Sequence, residues 1–328
     1  MGLDFTVAII TYNGATRIAE VLDALLAQEV EAISWEVLVV DNNSDDNTRE
    51  VVLEYAENWR KDSQLRYAFE GRQGAAYARY CAVAEAKSKS LIGFLDDDNL
   101  PGKSWVFACV DFGVKNLHVG AYGGIIHAKL DIDPPNYFKQ MKAYLTVCDR
   151  GHKPFQYKRN DKIRRIPPAP GVVIRKEAWQ DAMPSPEKLL IAGRDPKTMA
   201  AGEDAEMMFY LQNSSWEVWH NPNMEIWHHI YSHRLEEDYL LKLARGYGLS
   251  NHLTRLARYY PWQRPFINLM IPLYVIRDSL KSVLFYYQNR VDINEDLAKK
   301  CALESKIGQA WSPLLGVYKV VSRWNGKG

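Results

Sequence analysis

Apolar runs that stop abruptly at polar or acidic residues mark the first hundred positions. FTVAIIT (5–11) is β-branched and apolar and is broken by Asn13-Gly14. Ile18, Val21, Leu22, Leu25 and Leu26 then recur at helical spacing. WEVLVVD (35–41) reads as a second buried strand, and NNSDDNT as a turn that caps a helix from about Arg49 to Arg60. LRYAF (65–69) is a third strand, GAAYARYCAVAEAK (74–87) a third helix and LIGFL (91–95) a fourth strand. Strands apolar on both faces, alternating with helices, predict an α/β fold with a mostly parallel, Rossmann-like sheet covered by helices on both faces. Ligands of such sheets bind beyond the strands' carboxyl ends. Thr11, Asp41 and Asp96 all fall there.

From 101 to 230 the pattern is less regular. AYGGIIHAKL (121–130) reads as a strand with a glycine bend, and PPNYFKQMKAYLTV (134–147) as a helix starting at its prolines. Residues 151–171 are basic and proline-rich, which predicts a long loop. GVVIRKEAW (171–179) leads from strand to helix, and GEDAEMMFYLQNSS (202–215) is a helix opened by two acids. WEVWHNPNMEIWHH (216–229) reads as a hairpin, after which the chain turns helical, basic and aromatic. The expected division is an α/β domain over 1–230 and a helical, basic, aromatic-rich extension over 231–328.

Charge changes the picture of that extension. The chain has 41 basic and 40 acidic residues. Yet residues 242–290 hold Lys242, Arg245, Arg255, Arg258, Arg264, Arg277, Lys281 and Arg290 against Asp278 alone. Leu240, Leu243, Ala244 and Tyr247 share one face of a helix there. Basic amphipathic helices suit anionic membrane surfaces, so membrane-surface contact through 232–290 is expected, against a plain helical cap. No nucleic-acid motif is present, and no nucleic-acid partner is expected. The start carries Asp4 and no basic n-region, and no apolar run reaches the ~20 residues that span a bilayer. Four scattered cysteines without a CxxC pair argue against a disulfide framework. A cytoplasmic protein, peripheral on the cytoplasmic face of the membrane, is the expectation.

Asp96-Asp97-Asp98-Asn99 carries the sharpest chemistry. Adjacent carboxylates repel and need a positive partner, and Mn²⁺ or Mg²⁺ suits such oxygens, with substrate phosphates completing the shell. A solvated, helix-capping turn is the bland alternative. An EF-hand in DNNSDDNTREVV fails, because Asp46 stands where the loop needs glycine and Val52 where it needs Glu. No GxGxxG or GxxxxGK[ST] loop is present.

TYN (11–13), VVDNNSDDNT (39–48), GRQGAAYAR (71–79), FLDDDN (94–99) and GED (202–204), in that order, resemble the family 2 glycosyltransferases of the GT-A fold. The resemblance covers about residues 4–230. DDDNLPGKSW, PPAPGVVIRKEAW and RLEEDYLLKLARGYGLSNH further resemble the cyanobacterial glycosyltransferases of hormogonium polysaccharide biosynthesis. The family likeness implies a nucleotide-sugar donor, UDP-linked by preference. It puts Thr11, Tyr12, Asn13, Asp41, Asn43 and Gly74 at the nucleotide, Arg79 at phosphate or sugar, Asp96 or Asp97 at the ribose and Asp98 at the metal. Asp204 would be the general base, with Glu203 positioning the acceptor or tuning Asp204; a helix-dipole role is the alternative reading of both acids. His228 and His229 would face opposite sides of a strand, and the likeness favours His228 as the ligand. The loop Lys158, Arg159, Lys162, Arg164, Arg165 is either a solvated charge run or a lid. The implied activity is inverting transfer to a saccharide or lipid-linked acceptor. The rivals are a catalytically silent binding protein on this scaffold and a sugar-phosphate nucleotidyltransferase, which would want a glycine-rich basic loop where ITYNGATR has only Gly14 and Arg17.

Overall fold

A computed structural model describes residues 2–325 of the chain. Its strands are β1 (Leu3–Thr11), β2 (Trp35–Asp41), β3 (Ser63–Phe69), β4 (Ser88–Asp96), β5 (Asn99–Pro101), β6 (Val119–Leu130), β7 (Phe155–Gln156), β8 (Val173–Arg175) and β9 (Glu217–Ile230). Between them run α1 (Ile18–Leu26), α2 (Thr48–Glu57), α3 (Ala75–Glu85), α4 (Trp105–Lys115), α5 (Phe138–Met141), α6 (Lys176–Ala182) and α7 (Glu203–Asn213). After β9 come α8 (Glu237–Leu249), α9 (Asn251–Ala257), α10 (Arg264–Leu269), α11 (Ile271–Asn289) and α12 (Leu297–Asn325).

The strands form one sheet in the order β3-β2-β1-β4-β8-β6-β9-β5, with β7 beside β9. Pairing is parallel across β3, β2, β1 and β4, where strand–helix alternation is regular. It turns antiparallel at β8 and beyond. Alternation along the strands divides the core in two. Phe5, Val7 and Ile9 pack with Ile18, Val21, Leu22 and Leu25 of α1, Val52 of α2 and Trp105 of α4. Ala8, Ile10, Leu38, Val40 and Phe94 pack with Ala78 and Ala82 of α3, Trp179 of α6 and Leu211 of α7. The expected sheet with helices on both faces is therefore present, and the four cysteines are free.

By contacts the chain forms two units. One contains the residues up to Lys129, Thr146–Ala192 and Met207–Ile230. The other contains Leu130–Leu145, Gly193–Glu206 and the chain from Tyr231 onward. In the second unit, α8 packs along α12, and so does α11.

Several local expectations are corrected. Residues 217–230 are one continuous strand, not a hairpin. Asn-Pro-Asn looks like a turn, but the Asn221 amide donates to the Ala108 carbonyl of α4 at 3.2 Å, which holds the chain extended. The helix expected over 134–147 shrinks to α5, followed by turns up to Thr146, whose φ of 58° cannot continue a helix. The loop 151–171 contributes β7, paired to Trp219 and His220. The face of α8 offered to a membrane is core instead: Leu240, Leu243 and Ala244 are buried, and only Tyr247 is exposed.

The glycines of β6 serve close approach. A Cβ on Gly124 would lie 1.8 Å from the Met224 carbonyl oxygen, a backbone atom that no rotamer change can move. Gly124→Ala is expected to destabilise the fold by about 3 kcal/mol, measured as a lower urea midpoint at unchanged slope.

Candidate active site

Register builds the floor of the site. Thr11 pairs with Asp41 across β1 and β2, and Ile10 with Asp96 across β1 and β4, so three carboxyl ends finish side by side. Each polar group there is tied differently.

Asp97 is the centre of a knot. Arg17 donates to it through Nε at 3.0 Å and through a terminal nitrogen at 2.8 Å, and the Thr11 hydroxyl donates at 2.7 Å. The same Arg17 donates to the Tyr12 carbonyl at 3.1 Å. Gly14 closes the turn between them, since a Cβ there would meet Thr11 Oγ1 at 2.1 Å and Asp97 Oδ2 at 2.7 Å. Burial still lifts the Asp97 carboxyl above its ordinary range, although Arg17 pulls the other way.

The second acidic loop clasps the first. Ser44 Oγ accepts from the Asn13 N–H at 2.9 Å, Thr48 Oγ1 from Gly14 at 2.8 Å, and Asn13 Oδ1 from Asp45 at 3.0 Å. Asn13 and Asn43 sit at φ of 49° and 68°, left-handed positions that asparagine tolerates. Asp41 is buried. It accepts from the Ser44 N–H at 2.9 Å and from the Tyr67 hydroxyl at 2.7 Å. Burial, with Asp41 beside it, pushes the Tyr67 phenol well above the usual range. Asn42 accepts from the Gly74 N–H at 2.8 Å and so joins this loop to the start of α3. Gly74, at φ 137°, admits the Ala192 carbonyl 2.7 Å from where a Cβ would stand.

Arg79, on α3, is buried, unlike an ordinary surface helix charge. Its positive charge acts on Asp96. Burial pushes the Asp96 carboxyl up to about 6; Arg79 opposes that rise, while Asp98 and Asp97 add to it. Asn99 accepts from the Asp96 N–H at 2.9 Å and donates to Asp98 at 2.9 Å.

The β5–β9 pairing sets Asn99 opposite His228. His228 Nε2 therefore lies 3.4 Å from Asp98 Oδ2, with both side chains about nine-tenths buried. His229 turns the other way and meets Glu20 at 2.6 Å through Nδ1. Among the described residues no three His, Cys, Asp or Glu side chains converge as a ready-made metal cage. One carboxylate oxygen and one imidazole nitrogen facing each other nonetheless fit a divalent ion that takes its other ligands from a diphosphate and water.

Glu203 and Asp204 belong to the second unit, in the first turn of α7. Glu203 accepts from the Gly202 N–H at 3.1 Å and Asp204 from the Ala205 N–H at 2.8 Å. In the basic loop, Arg164 is held by Gln212 at 2.8 Å and Asn213 at 3.0 Å and covers the Phe209 ring. Lys158, Lys162 and Arg165 are exposed. Sequence reasoning missed Tyr67 and Glu20, and used Arg17 only against the nucleotidyltransferase. For Arg17 the signal was its place four residues after Asn13; for the other two, none is visible before the strands pair.

Against this geometry, a profile of glycosyl transferase family 2 matches residues 6–176. The chain belongs to that family. It is 26% identical over 188 residues to glycosyltransferase AglE of Haloferax volcanii, covering 57% of this chain and 58% of that one. It is 37% identical over 99 residues, 30% of this chain and 36% of the relative, to a UDP-Glc:alpha-D-GlcNAc-diphosphoundecaprenol beta-1,3-glucosyltransferase, WfgD, of Escherichia coli. It thus spans less than two thirds of either relative. The mannosyltransferase PcManGT of Pyrobaculum calidifontis, solved with GDP-Man and Mn²⁺, superposes with TM-score 0.59 at 17% identity over 96% of this chain and 88% of that one. S. aureus TarS 1–349, solved with UDP-GlcNAc, gives TM-score 0.50 at 14% identity over 94% and 92%. These two likenesses carry the family 2 fold alone.

In the folded chain Asp96 keeps its proton to about pH 6, whereas in the unfolded chain it would lose it near about pH 4. Its contribution to stability is therefore full below about pH 4 and lost as pH rises through about 6. Asp96→Asn removes that titration. The variant's stability relative to wild type is expected to improve by roughly 2–3 kcal/mol between pH 4 and pH 7, read by denaturation at each pH. A gap that does not change with pH would show Asp96 charged and fully compensated.

Proposed function

We propose that this chain transfers a sugar from a nucleotide-sugar donor to a hydroxyl of a saccharide or lipid-linked acceptor, with inversion, in polysaccharide synthesis. The carrying observation is the row Thr11, Asp41 and Asp96 at three strand ends, with Asp98, just beyond β4, facing His228 of β9. Asp41, fixed by Tyr67 and the Ser44 N–H, accepts from a base ring N–H; the single imide N–H of uracil suits it, so a UDP-sugar is the favoured donor. Tyr12, Asn13, Asn43 and Gly74 shape the nucleotide pocket. Asp96 takes the ribose, with Asp97 and its Arg17 knot holding the loop beneath it. Arg79 faces the phosphates as a charged fork.

Asp98 and His228 would hold Mn²⁺ or Mg²⁺, which would supply positive charge for the departing diphosphate. Asp204 takes the proton of the attacking hydroxyl as the acceptor oxygen bonds to the anomeric carbon and the bond to the diphosphate breaks. Glu203 positions the acceptor or tunes Asp204. The roles of both acids rest on the family motif.

The names of the similar proteins support this chemistry: a UDP-glucose transferase acting on a diphosphoundecaprenol-linked sugar, and structures solved with UDP-GlcNAc or with GDP-Man and Mn²⁺. A polysaccharide of the hormogonium kind is the product proposed from the narrower sequence likeness. A lipid-linked acceptor puts the enzyme at the cytoplasmic face of a membrane. The nucleotidyltransferase alternative loses ground because Arg17 and Gly14 are consumed in the Asp97 knot.

The test is donor binding and turnover across UDP-, GDP- and dTDP-sugars, with and without Mn²⁺. Asp98→Ala is expected to weaken metal-dependent donor binding about tenfold or more. Asp204→Asn should bind donor normally while turnover falls about 10²–10⁴-fold. Tyr67→Phe, which frees one side of Asp41, should weaken UDP binding by about threefold to tenfold. Retained binding without turnover in wild type would favour a silent binding protein. No nucleotide-sugar binding under any metal would sink the proposal.

A further inference from the structure

Helix α11 is built inside out. Its buried positions are Asp278 and Ser282. Its exposed ones include Leu273, Ile276, Leu280, Val283, Leu284 and Tyr287, all at least 53% accessible, with Val291 just beyond at 91%. At 3.6 residues per turn these apolar side chains fall within an arc of about 100° that runs the length of the helix, about 28 Å. Trp262, Phe266 and Leu269, exposed at 62–77%, repeat the same spacing through α10 and the turn before it. Monomeric soluble surfaces rarely leave so long an apolar stripe bare.

Charge decides what covers it. On the same wheel Arg277 and Lys281 flank one edge of the stripe and Arg290 the other, and all three are exposed. Asp278, the one acid between residues 242 and 290, is buried and bound to Arg277 at 2.7 Å and Arg255 at 3.6 Å. Up to Arg290 the stripe thus has basic edges and no exposed acid, and the exposed Asp292 follows at its far end. A second copy laid along it would bring cations to a rim that is basic from Arg277 to Arg290. No helix among the described residues is long and apolar enough to cross a membrane.

We infer that the exposed face of α10 and α11 is a docking surface for an anionic lipid bilayer. The helices lie along it, with the leucine stripe in the acyl boundary and Arg277, Lys281 and Arg290 among the headgroup phosphates. Exposed Trp262, Tyr286 and Tyr287 suit the headgroup level, where amphipathic rings are favoured. This is a different surface from the α8 face that sequence periodicity offered. Its purpose rests on the lipid-linked acceptor proposed above, while its physical basis lies in α10 and α11 alone.

The experiment is co-sedimentation of the full chain with vesicles of pure phosphatidylcholine, and with vesicles in which about one third is phosphatidylglycerol. Wild type is expected to bind the anionic vesicles at least about tenfold more tightly, and binding should weaken at about 0.5 M salt. Leu280→Asp with Leu284→Asp should abolish binding, and Lys281→Gln with Arg290→Gln should weaken it by about tenfold. Because these side chains are exposed, melting temperature and UDP affinity should match wild type in both variants. Sedimentation with neither vesicle overturns the inference. So does equal binding to both, or a lipid-free dimer that Leu280→Asp dissociates, since a second copy then fills the face. Anionic binding that persists in a chain with no affinity for any nucleotide sugar would uphold this inference while sinking the transferase reading.

Discussion

Three carboxylates in sequence at the end of a buried strand repel one another at close range, and much of the surrounding architecture answers that repulsion. Asp97 is met by Arg17 from the turn before α1, Asp96 by Arg79 from α3, and Asp98 by His228 from β9. Each answer comes from a different element, so the acidic triplet draws the two loops and the far edge of the sheet towards one point. The compensation is unequal. Asp97 is fully tied by a two-pronged guanidinium and a hydroxyl, while Asp96 holds its proton unusually well. The remaining repulsion falls on Asp96, where burial and its two acidic neighbours favour the neutral acid.

Backbone economy near the triplet has the same origin. Gly14 and Gly74 sit where a side chain would collide with Thr11 and with the Ala192 carbonyl. Asn13, Asn42 and Ser44 use their side chains on neighbouring main-chain N–H groups, which lets two adjacent loops stiffen one another without regular structure. A nucleotide would therefore meet a surface already in place, with little ordering left to do on binding.

The alternating strands and helices up to Asp96 were legible because strands buried on both faces must be apolar at every position, a pattern that survives without knowledge of partners. The acids at strand ends were legible for the complementary reason, that charge is out of place there unless used. What was illegible depends on contacts distant in sequence. Asn-Pro-Asn at 221–223 has turn chemistry, and only the Ala108 carbonyl of α4 explains why the strand runs on. Tyr67 lies 26 residues from Asp41, and nothing in LRYAF says which tyrosine will reach a carboxylate. Amphipathic periodicity marks an apolar face but not its outlook. The apolar face of α8 turned inward against its own unit, while that of α11 turned out, over a buried Asp278 that periodicity alone would have placed in water.

The unbroken course of β9 makes spacing itself a functional quantity. Successive residues of a strand point to opposite faces, so His228 meets Asp98 and His229 meets Glu20 only because of the count of residues from Asn221. Losing one residue between Asn221 and Ile226 would bring His229 opposite Asp98 and Ile230 beside Glu20, and gaining one would bring His228 beside Glu20 and Trp227 opposite Asp98. Either change would leave only one of the two carboxylates facing an imidazole. A change of chain length upstream of 228 would disturb both acid–histidine pairs, whereas a substitution at 228 would disturb only the one with Asp98. The segment from Asn221 to Ile226 works as a ruler, whose length decides which residue meets which acid.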